Sequence, residues 1–380
     1  MNAIPTGLVV WVMMVFLTVA GCATTGGVPS AVVRDAPRVG LPGVTRPEPG
    51  SPGEFDCNNA VHWSGETIYA FSSVGHPYRG EGPDLFHMKR PSTRVKFDNE
   101  AGWKMGSRWI EATYKDADGR LYMWYHNEPP GICPEVKPPR LTAPRIGQMV
   151  SMDDGLHWRD QGIVLEAPAD SLHCATANDY FAGGNGDFCV NLDNRKEYFY
   201  FFISTYHKDV AEQGVAVARM RYADRDDPVG KVLKWREGGW TEPGLGGHVT
   251  PILPVAIDWH RADADAFWGP SVHWNTHVRQ WVMLLNRAID KSWKQEGIYV
   301  SFNPDIANPK GWSTPVKIID AAALENSRWY PQVIGIQKGQ TDKLAGRVAR
   351  LFVTGISKWE LVFLRPGEKV QAEMSLWGNP

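Results

Sequence analysis

The chain has 380 residues, with 38 Gly, 28 Pro and 17 Trp, 22% charged and 43% hydrophobic side chains, and a formal net charge of -2. That hydrophobic share supports a packed core and excludes bulk disorder, and the near-neutral balance excludes a general electrostatic grip on nucleic acid, which needs a basic surface. The wealth of Gly, Pro and aromatic residues argues against a helical bundle.

Residues 1–21 read as an export signal peptide: an apolar run from Leu8 to Ala20, too short for a comfortable membrane span, ends in Val19-Ala20-Gly21-Cys22. This resembles a bacterial lipobox, in which small residues precede a Cys that becomes lipid-modified, so Cys22 is the expected lipidation site. The expected location is the bacterial cell envelope, with a lipid anchor in the outer membrane as the only membrane contact. Residues 22–53, rich in Gly, Pro, Thr and Ser, read as a flexible tether. The folded domain is expected over 54–380. Export permits disulfides, and the loop contexts of Cys133 and Cys174 favour a bridge between them. Cys57 and Cys189 flank predicted strands and are either buried thiols or a second pair. Zinc-type spacings are absent.

The body shows short strand-like runs divided by turn signals, among them Thr67–Ser72, Leu121–His126, Tyr198–Thr205, Trp281–Leu285 and Ala349–Thr354. They group into five hairpins. The strand pairs are Asn59–Trp63 with Thr67–Phe71, Ile110–Tyr114 with Leu121–Tyr125, Phe188–Leu192 with Tyr198–Phe202, Ser271–Trp274 with Trp281–Leu285, and Trp329–Gly335 with Ala349–Thr354. Irregular spacing with insertions predicts an all-β, five-bladed β-propeller. Ser151-Met-Asp-Asp-Gly-Leu-His-Trp158 matches the Asp-box pattern S-x-D-x-G-x-x-W, a structural turn between outer blade strands. Ser301-Phe-Asn-Pro-Asp, continuing to Gly311-Trp312-Ser313, is a degenerate relative.

With these motifs, residues 54–365 resemble the five-bladed propeller glycosidases, including glycoside hydrolase families 32, 43, 62, 68 and 117. Such propellers bind ligands where the innermost strands converge. Aligning the hairpins on Tyr69, Tyr122, Tyr198 and Trp281 places Asn58, Glu111, Asp187 and Pro270 eleven residues earlier, at a common height around the axis. Glycoside hydrolysis needs one carboxylic acid and a second carboxylate as nucleophile or base. The resemblance therefore assigns acid or base roles to Glu111 and Asp187, with Asp56 as third member. Asn58 stands where the families' first-blade Asp is expected and cannot act as a base. His126, Glu128, Arg145 and His273 are polar candidates for substrate binding. Trp109, Trp268, Trp329 and Tyr330 offer flat faces for sugar rings.

No cofactor is expected, and no metal site is assigned from the residues. The resemblance raises only a calcium ion at the axis. Phosphate-binding loops and a Ser-hydrolase elbow are absent: Gly183-Gly-Asn-Gly186 lacks the strand, helix and Lys of a P-loop. The expected partner is carbohydrate. The leading reading is a glycoside hydrolase on a polysaccharide or oligosaccharide. The alternatives are a non-catalytic surface glycan-binding lipoprotein and a scaffold propeller.

Overall fold

The structure, a computed structural model, describes residues 27–41, 55–72, 77–89, 94–99, 106–136, 141–324 and 329–370. The expected signal segment and Cys22 lie outside the described residues. Runs of β-branched and aromatic residues form strands throughout, because such side chains pack best on a pleated, half-buried surface. β1 (Ser30–Gly40) comes first. β2 (Val61–Ser64), β3 (Thr67–Phe71) and β4 (Arg79–Gly82) form the first blade. The short β5 (Lys96–Phe97) edges the second, which is built from β6 (Ser107–Lys115), β7 (Leu121–Glu128), β8 (Arg145–Ser151) and β9 (His157–Leu165). The third comprises β10 (Asn185–Leu192), β11 (Tyr198–Thr205), β12 (Gly214–Arg221), β13 (Leu233–Arg236) and β14 (Gly239–Pro243), with β15 (Leu253–Pro254) beside β12. β16 (Ala266–Asn275), β17 (Gln280–Ala288), β18 (Gln295–Asn303) and β19 (Val316–Asp320) form the fourth. β20 (Gln332–Gly335) opens the fifth, and β21 (Leu344–Ala345) crosses over to pair in parallel with the end of β16. β22 (Val348–Val353) and β23 (Ile356–Leu364) complete the run of a five-bladed β-propeller.

The ring closes through β1. It pairs antiparallel with β23 from Ser30 opposite Leu364 to Gly40 opposite Ile356, so the first strand of the chain completes the last blade. Within the expected tether of 22–53, Ser30–Gly40 is therefore a blade strand. Ala31 and Val33 pack on the core between the fourth and fifth blades, Val32 packs on the opposite face of the sheet, and Arg34 pairs with Glu360 at 2.9 Å. The low apolar content of the surrounding residues had masked this strand.

Apolar clusters fill the wedges between neighbouring blades. Phe71 meets Met123 and Trp158 between the first two blades, and Trp124 meets Phe199 and Phe201 between the next two. Val272 and Met283 face Tyr200 and Phe202, and Leu284 faces Leu351 and Leu361. Ile68 and Ala70 meet Ile334 and Phe352 where the ring closes. Between β8 and β9, Asp153 Oδ1 accepts from the backbone of Leu156 and His157, Ser151 Oγ accepts from Gly155 N, and Trp158 Nε1 donates to Gly155 O. This network holds the turn and plants Trp158, 2% exposed, edge-on against Phe71.

Candidate active site

The inner strands of three blades carry a β-bulge at one height: between Ile110 and Ala112 in β6, Gly186 and Cys189 in β10, and Trp268 and Ser271 in β16. A bulged residue leaves the ladder and is re-aimed, here toward the axis. Glu111, Asp187 and Pro270 occupy these bulges, which is the physical meaning of their equal offset in sequence. Asn58, just ahead of β2, completes the ring. Its Nδ2 donates to the carbonyls of Phe188 at 3.2 Å and Pro270 at 3.1 Å, stapling three blades together.

Glu111 is fully buried. Its Oε2 accepts from Phe188 N at 2.8 Å, and its Oε1 lies 3.0 Å from His126 Nδ1. The other imidazole nitrogen, Nε2, lies 3.1 Å from Glu128 Oε1. Burial opposes a charge on His126, but the two flanking carboxylates hold its pKa well above the usual value, and the Asp187 backbone N–H lies 3.3 Å from its Nδ1. Burial likewise raises the Glu111 pKa against the pull of His126. Asp187 sits beside this pair. Tyr206 OH donates to its Oδ2 at 2.5 Å and Tyr330 OH to its Oδ1 at 3.2 Å. Burial, with Glu111 adding to it, pushes the Asp187 pKa up to about 7. Asp56 is exposed by surface area, yet the enclosing wall of the cavity and then Glu128 push its carboxyl up to about 6. Gly186 is required by close approach: a Cβ there would stand 2.7 Å from His126 Cε1 and 2.7 Å from Pro144 Cγ.

These groups line a cavity of about 150 Å³. Asp56, Glu128, Asp187 and His126 face it on the polar side, and Trp109, Tyr180, Phe181, Trp293, Trp329 and Tyr330 on the aromatic side. Among the described residues, eight that are not Gly have positive φ; five of these (Asp154, Lys196, Glu237, Arg279 and Thr354) sit in hairpin turns and do not line the cavity, although Thr354 hydrogen-bonds Trp329 at its wall. The other three are Asp187 (φ 41°), Trp293 (φ 58°) and Tyr330 (φ 60°), and all three line it. Left-handed backbone at such residues is strained and persists only where its surroundings over-determine it, which is typical of functional sites. The aromatic wall is itself cross-braced. Trp329 Nε1 donates to Trp293 O at 3.0 Å, and the Trp268 and Trp293 rings meet edge to face at 4.5 Å.

The structure brings together Asp56, Trp109, His126, Glu128, Asp187, Trp329 and Tyr330 from the sequence-derived set. It separates the others. Glu111 stands behind His126 and is not among the residues that line the cavity. Asn58 is spent on blade carbonyls. Trp268 is wholly buried beneath Trp293. Arg145 reaches Asn127 Oδ1 at 2.8 Å and Glu166 Oε1 at 3.5 Å, away from the cavity. His273 lies near the far end of β16, edge-on to Phe363 at 5.4 Å, and burial followed by Lys343 lowers its pKa to about 3, so it is a neutral core residue. Sequence reasoning missed Tyr180, Phe181, Tyr206 and Trp293. Three of them lie in loops between strands, and Tyr206 follows directly after β11.

Cys133 and Cys174 are joined by a disulfide that ties the segment after Glu128 to the loop leading toward Tyr180 and Phe181. Cys57 and Cys189 are both buried, and burial pushes the Cys189 thiol up to about 12.

The resemblance raised a calcium ion at the axis. The carbonyls of Phe188 and Pro270, the natural hard ligands there, already accept from the Asn58 amide. Glu111, His126 and Asp187 place ligand-type atoms within 4.8 Å of one another, and Asn58 Oδ1 and Glu111 Oε1 are buried without a hydrogen-bond partner.

No protein-family model matches the chain, and no curated protein matches it. Similar solved structures include an exo-β-1,3-galactanase from Phanerochaete chrysosporium with β-1,3-galactotriose (11% identity, 88% of this chain and 64% of that one, TM-score 0.47). Others are a xylan β-1,4-xylosidase from Bacillus halodurans (13%, 82% and 53%, TM-score 0.44) and an arabinanase from Bacillus subtilis (13%, 83% and 96%, TM-score 0.43). The chain thus spans less than two thirds of the galactanase and of the xylosidase. Similarity at this level carries no assignment of substrate or residue role.

Proposed function

We propose that the protein is a glycoside hydrolase that takes the terminal ring of a glycan into the axial cavity. The observation that carries this reading is the pairing, in one aromatic-walled cavity, of a carboxyl with a pKa near 7 and a second with a pKa near 6. Two carboxyls raised toward neutrality in one cavity meet the requirement for acid and base roles. Asp187 is the acid: its proton goes to the glycosidic oxygen as the bond to the anomeric carbon breaks. Asp56 is the base or nucleophile, taking a proton from water or attacking that carbon itself. Tyr330 and Tyr206 hold Asp187 by hydrogen bonds, and the neighbouring His126 favours the negative charge it carries after transfer. A cavity of about 150 Å³ holds one six-membered ring, as benzene fills an apolar cavity of that size. This favours a chain end over the interior of a polymer.

The test is release of reducing sugar from a panel of neutral oligosaccharides by the wild type, Asp187→Asn and Asp56→Asn. Loss of about 10²–10⁴ in rate for each variant is expected. Equal release by all three would overturn the assignment. Saturable binding without release by the wild type would instead mark a glycan-binding protein.

We also propose that Cys22 carries a lipid and holds the propeller at the outer membrane, on the strength of the Val19–Cys22 motif. Incorporation of labelled palmitate that disappears in Cys22→Ser tests it. The Ser151–Trp158 turn is read as an Asp-box with a purely structural role.

A further inference from the structure

The inner strands run from the axial cavity to the opposite face of the propeller, and a second cavity of about 300 Å³ opens at their far ends. Four residues separate Asp187 from Asn191 along β10, so the two cavities stand roughly 13 Å apart along the strand. Thr113 from β6 and Asn191 from β10 line this second cavity, with Trp274 and Trp281 from the fourth blade and Lys343 ahead of β21.

Several features mark it as a built site. Thr113 is 4% exposed and Asn191 2% exposed, yet Thr113 Oγ1 and Asn191 Oδ1 have no hydrogen-bond partner. Buried polar atoms of this kind are costly unless something satisfies them. Trp274 and Trp281 meet edge to face at 5.4 Å, and Trp274 keeps part of its surface open. The wall is rigid, because β21 pairs in parallel with Trp274 and Asn275, and Trp274 N donates to Lys343 O at 2.9 Å. Charge is balanced: Lys343 Nζ lies 3.0 Å from Asp342 Oδ2. The nearby Asp193 carboxylate is committed to the backbone N–H groups of Arg195, Glu197 and Tyr198. An apolar indole platform beside a hydroxyl, an amide oxygen and a neutralised ammonium suits a ligand with an apolar face, several hydroxyls and no net charge.

We propose that this second cavity binds one neutral sugar residue, docking a glycan on the face opposite the axial cavity. Sugar C–H groups lie on Trp274, and hydroxyls pair with Thr113 Oγ1 and Asn191 Oδ1, which turn toward them. The proposal stands on this cavity alone and does not require that the protein cleave glycans.

Asp187→Asn protein, which cannot turn substrate over, is titrated calorimetrically with neutral xylo-, arabino- and galacto-oligosaccharides. At least one of these is expected to bind with two equivalents per chain. Adding Trp274→Ala removes one equivalent. Adding the near-isosteric Thr113→Val weakens the same equivalent at least about tenfold while preserving the melting temperature. Trp274→Ala in the wild-type background leaves hydrolysis of a short substrate unchanged. The proposal is overturned if no probe shows an equivalent that Trp274→Ala removes and Thr113→Val weakens. That result leaves the hydrolase reading untouched, because that is judged by turnover of the wild type.

Discussion

Tyr206 OH donates to Asp187 Oδ2 at 2.5 Å, from the residue directly after β11 into the bulge of β10 on the neighbouring strand. The bond favours the ionised carboxyl, so it works against the burial that raises the Asp187 pKa. Tyr206→Phe removes it. The basic limb of the kcat/KM profile should then move to higher pH, with less than about tenfold loss at the optimum. An unmoved limb would show that this hydrogen bond does not govern the acid.

The pH dependence itself follows from the two carboxyls. Asp187 must carry its proton, so activity falls as pH rises through about 7; Asp56 must be ionised, so activity falls as pH drops through about 6. A narrow bell with its maximum between these values is expected in kcat/KM. Asp56→Asn should abolish the acidic limb along with most of the rate.

Removing the acid should stabilise the fold. The Asp187 pKa is raised in the folded chain above its ordinary 3.8. The unfolded state therefore loses this proton first, and the group's cost grows as pH rises from about 4 to about 7. Asn has no charge to desolvate and tolerates the positive φ of this position. At pH 8, Asp187→Asn should resist urea better than the wild type by about 1 kcal/mol or more while being inactive. Equal or lower stability would contradict the picture of a carboxyl held under strain.

Two tryptophans separate packing from binding. Trp158 is buried between blades, and Trp158→Ala should cost about 3–5 kcal/mol in urea unfolding with KM unchanged below the transition. Trp329 is half-buried at the cavity, and Trp329→Ala should raise KM by about tenfold with a small effect on stability.

The Cys133–Cys174 bond closes a loop of 41 residues. Replacing both by Ser should lower stability by about 2–4 kcal/mol. Because the bond braces the segments carrying Glu128 and Tyr180, KM should rise more than kcat falls. Urea melts and steady-state kinetics on the double variant check both parts.

The hairpins were legible in the sequence because strand, turn and strand are local: Asp193 caps its turn through three N–H groups within five residues. The common height of Glu111 and Asp187 was legible because the bulges repeat. Which way each bulged side chain points was not. An offset gives height alone, and the placing of Glu111 behind His126 depends on packing across two blades. Trp268 and His273 misled for the same reason, since each lies on a strand face turned into the core. The aromatic wall came from Tyr180, Phe181 and Trp293 in connections with no periodicity to read. β1 was hidden because its partners lie more than 300 residues away, as with Arg34 and Glu360, separated by 326.

That closing strand also sets a direction. Val39 and Gly40 lie at the cavity end of the fifth blade, where Ser357 and Ile356 follow Phe352 and Gln332 across the sheet, while Ser30 lies beside Leu364 at the other end. The polypeptide upstream therefore leaves from the side facing away from the cavity mouth. From Cys22 to Ser30 the contour is at most about 29 Å. An acyl chain on Cys22, as proposed, would tether the propeller from that side at up to this distance, with the axial opening turned outward.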